Sequence, residues 1–442
     1  MGCRTPDGRL FLTGGFQIMN SAKPSPPRCQ VYKVNDRIVC GEQVTEKNRA
    51  DMKRSLHIVL AFGFLYFTAL SQVGALPQFA VLENARCLTC HVRSQGGGPR
   101  TFGGWKFMSG VSLFRPEKAG LGALYRHDGS LNALSGGRLN IGADFRLQMA
   151  KSHKSPDAKR RVFPMQAAMY AEYRIVDWLR VEGAYNAGPK KFSGQQSWSA
   201  SVTVRPSYSY TRLRAGFFQP SIGILFDDHT VLVRQVPGAD GSTLLAPFYA
   251  EYGAEVSTTV SGWVDVSAGV FDAASLAENS IIDETGAQVP LIQDKHTPSW
   301  LGRVEFHPAP VARMKSLTAG SSYFVNDDLY MANVFAGAGM TGRIGILAGY
   351  MRTRKTGVRT TDTVAAEVIW RLMDPFMVIV RGEKGDTVSK LGTDDIKTYT
   401  NQLVIGAQMF VLPYVELRPE YRIVDTERYR SARYAVQLHL FR

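Results

Sequence analysis

Arg138-Leu139-Asn140-Ile141-Gly142-Ala143-Asp144-Phe145-Arg146-Leu147 is the stretch on which the fold turns. Apolar and polar side chains alternate along it, the period-two pattern of a strand with one polar and one apolar face. Similar runs recur to the end of the chain. Sixteen are counted, starting near Arg138, Val162, Trp178, Gln196, Tyr208, Phe248, Gly262, Trp300, Leu317, Tyr330, Arg343, Thr363, Pro375, Thr398, Tyr414 and Ser431. Most run for 8 to 13 residues, the length a tilted strand needs to cross a bilayer. Links such as Ile175-Val176-Asp177, Thr341-Gly342 and Leu412-Pro413 are tight, while alternate links such as Pro220 to Pro247 and Asp272 to Ser299 are expected to be mostly long and polar. Short turns on one side, longer loops on the other and an even strand number point to an all-β fold, an antiparallel outer-membrane barrel over residues 138–442.

A soluble sandwich or lipocalin-like barrel would give fewer, shorter strands without that alternation of links. The chain also ends on alternating Tyr434, Val436, Leu438 and Leu440, with Phe441 next to last and off that alternation. Trp178, Tyr185, Tyr208, Trp263, Trp300, Tyr350 and Trp370 suit interfacial girdles. Asp144, Arg146, Glu172, Glu182, Glu251, Glu255, Arg371, Arg381, Glu383 and Glu416 fall on the inner face, where they line a watery wall or cradle an inserted segment.

Ahead of the strands, residues 76–137 carry few strand signals and contain Cys87-Leu88-Thr89-Cys90-His91. Two thiols three positions apart add to the vinyl groups of one haem, and the next residue places an imidazole on the iron. Zinc would want a second ligand pair, but no cysteine follows Cys90 and the later histidines are scattered. A thioredoxin-like dithiol would want an α/β context. The expected cofactor is one covalent haem c, held by Cys87, Cys90 and His91. Met108 is the first choice for the distal iron ligand and His127 the second; open coordination by water and a plain packing role for Met108 are the alternatives.

Lys53 and Arg54 precede an apolar run from Leu56 to Leu70, and Val73-Gly74-Ala75 supplies small residues for cleavage, so residues 52–75 are expected to be a secretory signal. A membrane anchor is the alternative. Haem attachment of this type requires export, so the two motifs agree. Residues 1–51, with Cys3, Cys29 and Cys40, are expected to be a mis-called start or an extension. Without them, Cys87 and Cys90 are the only thiols.

The net charge of +14 comes with no helix-turn-helix, zinc finger or basic-aromatic array, so nucleic acid is not an expected partner. A solvated basic surface or anionic lipid is the ordinary reading.

Taken in order, these parts resemble the outer-membrane monohaem cytochrome and porin fusions associated with iron-oxidising bacteria. The resemblance rests on the signal, on Pro77, Phe79 and Ala80 ahead of the haem motif, on Pro99, Phe102-Gly103 and Gly110 after it, and then on the barrel. The chain departs from the family at Trp105, Lys106 and Phe107, where an aromatic-basic pair is usual. The resemblance implies oxidation of extracellular Fe(II), with the electron passing through the haem to a periplasmic c-type cytochrome. Such transfer needs no general base or nucleophile, and no catalytic residue is assigned. Asp227, Asp228 and His229, or Asp283, Glu284, Asp294 and His296, are read as solvated outer loops in preference to iron ligands. A diffusion porin with a vestigial or sensory haem segment, and a conduit for another donor or acceptor, are the rival functions.

Overall fold

The computed structural model describes residues 2–4, 10–12, 29–34, 37–42, 77–91, 96, 98, 100–125, 133–134, 138–152, 161–188, 195–206, 210–224, 231–234, 245, 248–278, 280–282, 288–292, 294–391 and 394–441. The chain divides into two units, Met1–Leu70 and Ser71–Arg442. Two short hairpins are described in the first, Gly2–Arg4 with Leu10–Leu12 and Cys29–Val34 with Arg37–Glu42. The expected signal segment, 52–75, lies outside the described residues.

The second unit is a closed antiparallel barrel. Its strands are β1 (Leu139–Ser152), β2 (Arg161–Val176), β3 (Leu179–Asn186), β4 (Trp198–Val204), β5 (Arg212–Phe218), β6 (Glu251–Val260), β7 (Val264–Phe271), β8 (Ser299–Phe306), β9 (Met314–Asn326), β10 (Leu329–Met340), β11 (Ile344–Lys355), β12 (Arg359–Met373), β13 (Phe376–Leu391), β14 (Asp394–Leu412), β15 (Val415–Thr426) and β16 (Arg430–Phe441). Each of the sixteen alternating runs became one of these strands. Neighbours in sequence pair throughout, and β16 returns to β1 in a register from Arg433↔Ser152 to Phe441↔Asp144. Closure leaves no unpaired edge, the condition for a β structure in lipid.

Alternation divides the wall as expected. On β1, Asp144, Arg146 and Gln148 are buried, while Phe145 and Met149 are exposed. Met169, Val334, Val368 and Ile405 continue the exposed apolar surface around the barrel. Charges inside and aliphatic side chains outside is the reverse of a water-soluble domain, and it fits an exterior solvated by hydrocarbon. Rings gather near both rims: Trp263 stacks obliquely on Phe306 at one, and Trp198, Phe217 and Tyr252 cluster at the other, with centroids as close as 4.6 Å.

The rim where β1 begins and β16 ends is turned by short links, Thr341-Gly342 among them, with both residues at positive φ (54° and 70°). Two successive left-handed residues make the turn whose twist matches a strand pair. The opposite rim departs from expectation. Links 219–250 and 272–298 are long, but 327–328, 356–358, 392–393 and 427–429 are two or three residues each. Strands β9 to β16 run for 12 to 19 residues, so the chain there is spent on tall hairpins instead of loops. The tight turn at 327–328 is served by Asp327 at φ 42°, a residue type that tolerates that region. Phe441, off the outward alternation as the sequence has it, is not a lipid-facing terminal aromatic. It shares the inward register of Gln437 and His439 and meets Phe410 and Tyr414 inside.

A candidate haem site inside the barrel

Between the first unit and β1 lie three short helices, α1 (Pro77–Glu83), α2 (Cys87–Cys90) and α3 (Phe102–Ser109). They enter the lumen at the rim where β1 begins and β16 ends. Proline at the start of α1 is tolerated because the first helical N–H groups have no internal partner. The α1 face of Phe79, Val81 and Leu82 is buried against β9, β10 and β11. One of its C-terminal carbonyls is satisfied by the wall, since the Ser316 hydroxyl donates to the Val81 carbonyl, and another by the Ala85 N–H, which donates to the Ala80 carbonyl. Arg371 of β12 pairs with Glu83, and the Gln78 amide donates to Gln408 Oε1 on β14 at 2.8 Å. Arg86 donates to the Gly262 carbonyl and reaches Asp265 Oδ1 at 3.3 Å. Thus the segment is fastened to four separate regions of the wall.

The pentapeptide forms a single helical turn. The His91 N–H donates to the Cys87 carbonyl at 2.8 Å, and the Thr89 N–H to the Arg86 carbonyl at 2.9 Å. The three-residue spacing of Cys87 and Cys90 sets the thiols on one side of that turn. Helix α3 packs directly on it. The Thr101 N–H donates to the Cys90 carbonyl (2.9 Å), and the Thr101 hydroxyl donates to the Thr89 carbonyl (2.7 Å) while accepting from the Gly104 N–H. One side chain therefore caps α3 and ties it to the motif. A Cβ at Gly104 would stand 2.5 Å from the Cys90 carbonyl oxygen, so only glycine allows this approach.

Gly96, at φ +88°, packs against both motif side chains: a Cβ there would stand 3.8 Å from Cys87 Sγ and 3.9 Å from His91 Cδ2. Thiol and imidazole thus face the same glycine, and a thiol and an imidazole on one side of a single turn are the donor set a covalent haem would use. Burial pushes the Cys87 thiol up to about 12, and the Glu305 carboxylate adds to the rise. Two cavities adjoin Cys87. The larger, 220 Å³, is lined by apolar Ala80, Val81 and Leu347 and by polar Arg86, Arg303, Glu305 and His307. The second shares Arg86, Cys87, Arg303 and His307 and adds Arg212.

The sequence-derived ligands separate. Cys90 packs with Ala85, whereas Met108 lies in a different apolar cluster with Phe79 and Phe410. His127 lies outside the described residues, as do Asp227, Asp228, His229, Asp283 and Glu284. Asp294 and His296 form a local turn, with the His296 N–H donating to Asp294 Oδ1 at 2.9 Å; that bond lowers the carboxyl below its ordinary range.

Sequence reasoning did not anticipate how much apolar surface faces inward. Phe324, Met331, Leu347, Met351, Ile369 and Met377 are buried on the inner face of β9 to β13. They form one cluster with Phe79, Val81 and Leu82 of α1 and with Val231, Val233 and Leu245 of the link between β5 and β6. The signal was legible as hydrophobic residues on both faces of these strands. The charged positions divide into two uses. Glu383 accepts from the Leu232 N–H (2.6 Å), Glu251 from Ser275 and Leu276, and Glu255 from Ser221, so these hold inserted loops. Arg381 with Glu367 and Glu383, and Arg422 with Glu420, pair along the wall. His439 presents each ring nitrogen to a carboxylate at 2.9 Å, Glu416 on one side and Asp144 on the other.

No protein-family description matches the chain, and no curated protein resembles it. Among solved structures, OprB of Pseudomonas putida is 11% identical over 69% of this chain and 94% of its own, with a TM-score of 0.48. The anion-selective porin of Comamonas acidovorans is 11% identical over 69% and 99%, with a TM-score of 0.45. The outer-membrane channel DcaP of Acinetobacter baumannii is 11% identical over 69% and 97%, also at 0.45.

Proposed function

We infer that the protein is an outer-membrane electron-transfer barrel carrying one covalent haem c. The observation that carries the reading is the Cys87-Leu88-Thr89-Cys90-His91 turn seated inside the lumen, fastened to the wall by α1 and Arg86. Cys87 and Cys90 would hold the group through thioethers and His91 would bind the iron, with Met108 as the proposed distal ligand. When bound, haem supplies a one-electron couple. The chain's own part is to fix its attachment turn through Thr101 and Gly104, to keep Gly96 against Cys87 and His91, and to place the ion pairs Arg86–Asp265 and Arg303–Glu305 beside Cys87. Extracellular Fe(II) is the proposed donor and a periplasmic c-type cytochrome the acceptor; this pairing follows the family resemblance.

A diffusion channel is the second reading, favoured by the charged inner wall of β1 to β5. The apolar cluster formed with α1 and the loop of 219–250 speaks against a wide aqueous path. One measurement separates the readings. Detergent-purified protein is expected to show a reduced c-type α-band when Fe(II) is added anaerobically without mediator. Reduction by dithionite alone removes Fe(II) as donor, and a preparation without covalent tetrapyrrole removes the haem reading.

A further inference from the structure

Strand register places four residues in one row across β5 to β8. Arg212 stands opposite Ser257, Ser257 opposite Ser267, and Ser267 opposite Arg303. Arg212 opens β5 at the terminal rim, where β1 begins and β16 ends. Neighbouring strands lie about 4.8 Å apart, so two short serines leave a hollow between two long cationic side chains. All four residues line the second of the two cavities, and Arg86 and Cys87 border it from the inserted segment.

The charged groups in the adjoining rows are already partnered. Asp265 accepts from Arg86 and Thr259, and Glu305 accepts from Arg303 Nη2 at 2.6 Å and from Thr318. His307 lies 3.4 Å from both carboxylates. On the other side of the row, Glu255 accepts from the N–H and the hydroxyl of Ser221. The row itself is different. Among the described residues Arg212 has no hydrogen bond or ion pair, and the Arg303 Nε has no acceptor although Arg303 is only 4% exposed. Every acid nearby has its donors, so the hollow is short of an acceptor. An anionic oxygen bound by guanidinium N–H groups offsets the cost of burying them.

The neighbouring cavity indicates where that oxygen comes from. Cys87 borders both cavities, and the larger is lined by Ala80, Val81 and Leu347. Its 220 Å³ holds one edge of a porphyrin, not the whole ring. Along such an edge, the pyrrole that carries a thioether is followed by one that carries a propionate. An apolar edge and a carboxylate joined near one thioether match an apolar cavity and a donor-lined one joined at Cys87.

We propose that the row is a carboxylate site, in which Arg212 and Arg303 hold one propionate of the tetrapyrrole attached at Cys87. That the carboxylate belongs to haem rests on the function inferred above; the want of an anion does not.

The test starts from full-length protein made in a host that attaches haem, with covalent haem per barrel read by pyridine haemochrome and assembly by heat-modifiable migration. In Arg212→Gln the propionate bending band of the resonance Raman spectrum should shift. The midpoint potential should fall as well, because a cation that favoured the reduced iron is gone; a change on the order of tenfold in a one-electron equilibrium is about 59 mV. Arg212→Lys should recover the potential in part. Arg303→Lys, which keeps a charge for Glu305, should also shift the band, and the control Arg352→Gln, on the outer wall toward the far rim, should change neither. In full-length protein made without haem attachment, mesoporphyrin IX should bind on the order of tenfold more tightly than its dimethyl ester by fluorescence, and Arg212→Gln should remove that preference. An unchanged band and potential in Arg212→Gln overturns the proposal, as does equal binding of diacid and ester. So does saturable binding of succinate to the haem-bearing protein that Arg212→Gln abolishes, which would give the hollow to a diffusible carboxylate. Absence of covalent haem together with an Arg212-dependent preference for the diacid would sink the electron-transfer reading and leave the carboxylate site standing.

Discussion

Thr101 is the most economical side chain at the motif, because one hydroxyl caps α3 and holds the Thr89 carbonyl. Thr101→Ala should cost about 1 kcal/mol of local stability. The expected readout is less haem attached per barrel, with heat-modifiable migration unchanged. Cys87 gives a pH-dependent counterpart. Its thiol is held protonated in the folded segment, so stability is present below the ordinary value of 9.0 and is lost as pH rises through that value toward about 12. In protein made without haem attachment, Cys87 should alkylate slowly at pH 8 and speed up on denaturation, since the thiolate is the nucleophile. Fast alkylation in the folded state would contradict the burial. His91→Ala should abolish the redox couple and leave the barrel assembled. For Met108, the near-isosteric Met108→Leu preserves packing against Phe79 and Phe410, so a lowered midpoint potential is expected from lost ligation. An unchanged potential and spectrum would return Met108 to a packing role.

Helix α1 is too short to be stable alone, since an isolated helix of 7 residues lies far below the length at which propagation outweighs nucleation. The wall stabilises it. From α1 a chain of bonds crosses the barrel: Gln78 donates to Gln408, Gln408 donates to Glu416 at 2.8 Å, Glu416 meets His439, and His439 meets Asp144. This links the inserted segment to the seam where β16 closes on β1. Gln408→Leu would leave Gln78 and Glu416 short of a partner inside the wall, at about 1–3 kcal/mol for each group left unmade. The helices should then become sensitive to protease added at the terminal rim, with the strands still resistant. If protease access is unchanged, the fastening lies in Arg371–Glu83 and Arg86–Gly262 instead.

Across the whole molecule, the apolar cluster makes the barrel a filled body over β9 to β13, while β1 to β5 keep a charged inner wall. Planar-bilayer conductance should therefore be small in the intact protein and rise when residues 77–125 are removed. A large conductance with the segment in place would favour the diffusion channel. Much of this architecture was legible beforehand because a bilayer imposes a local rule. Every strand must alternate faces and every run must reach across, so period and length alone located all the strands from β1 to β16. The length of the far-rim links was misjudged because nothing in local alternation says whether a strand continues past the membrane, as β14 does over Asp394–Leu412. The inward side of Phe441 was legible, since it falls off the alternation of Tyr434, Val436, Leu438 and Leu440; that it meets Phe410 and Tyr414 there was not, because those residues lie on other strands.

By itself the sequence determined the barrel, its strand count and the presence of a haem-type motif, since each is written in neighbouring residues: a two-residue period, a strand length, a Cys-x-x-Cys-His spacing. Only the tertiary structure decided that the motif lies within the lumen, that one half of the inner wall is apolar and covered, and that Met108 and Cys90 sit in separate clusters. Those are outcomes of contacts between residues hundreds of positions apart, such as Gln78 with Gln408 and Glu83 with Arg371. Burial there depends on which surfaces meet when the cylinder closes, and no local pattern encodes it.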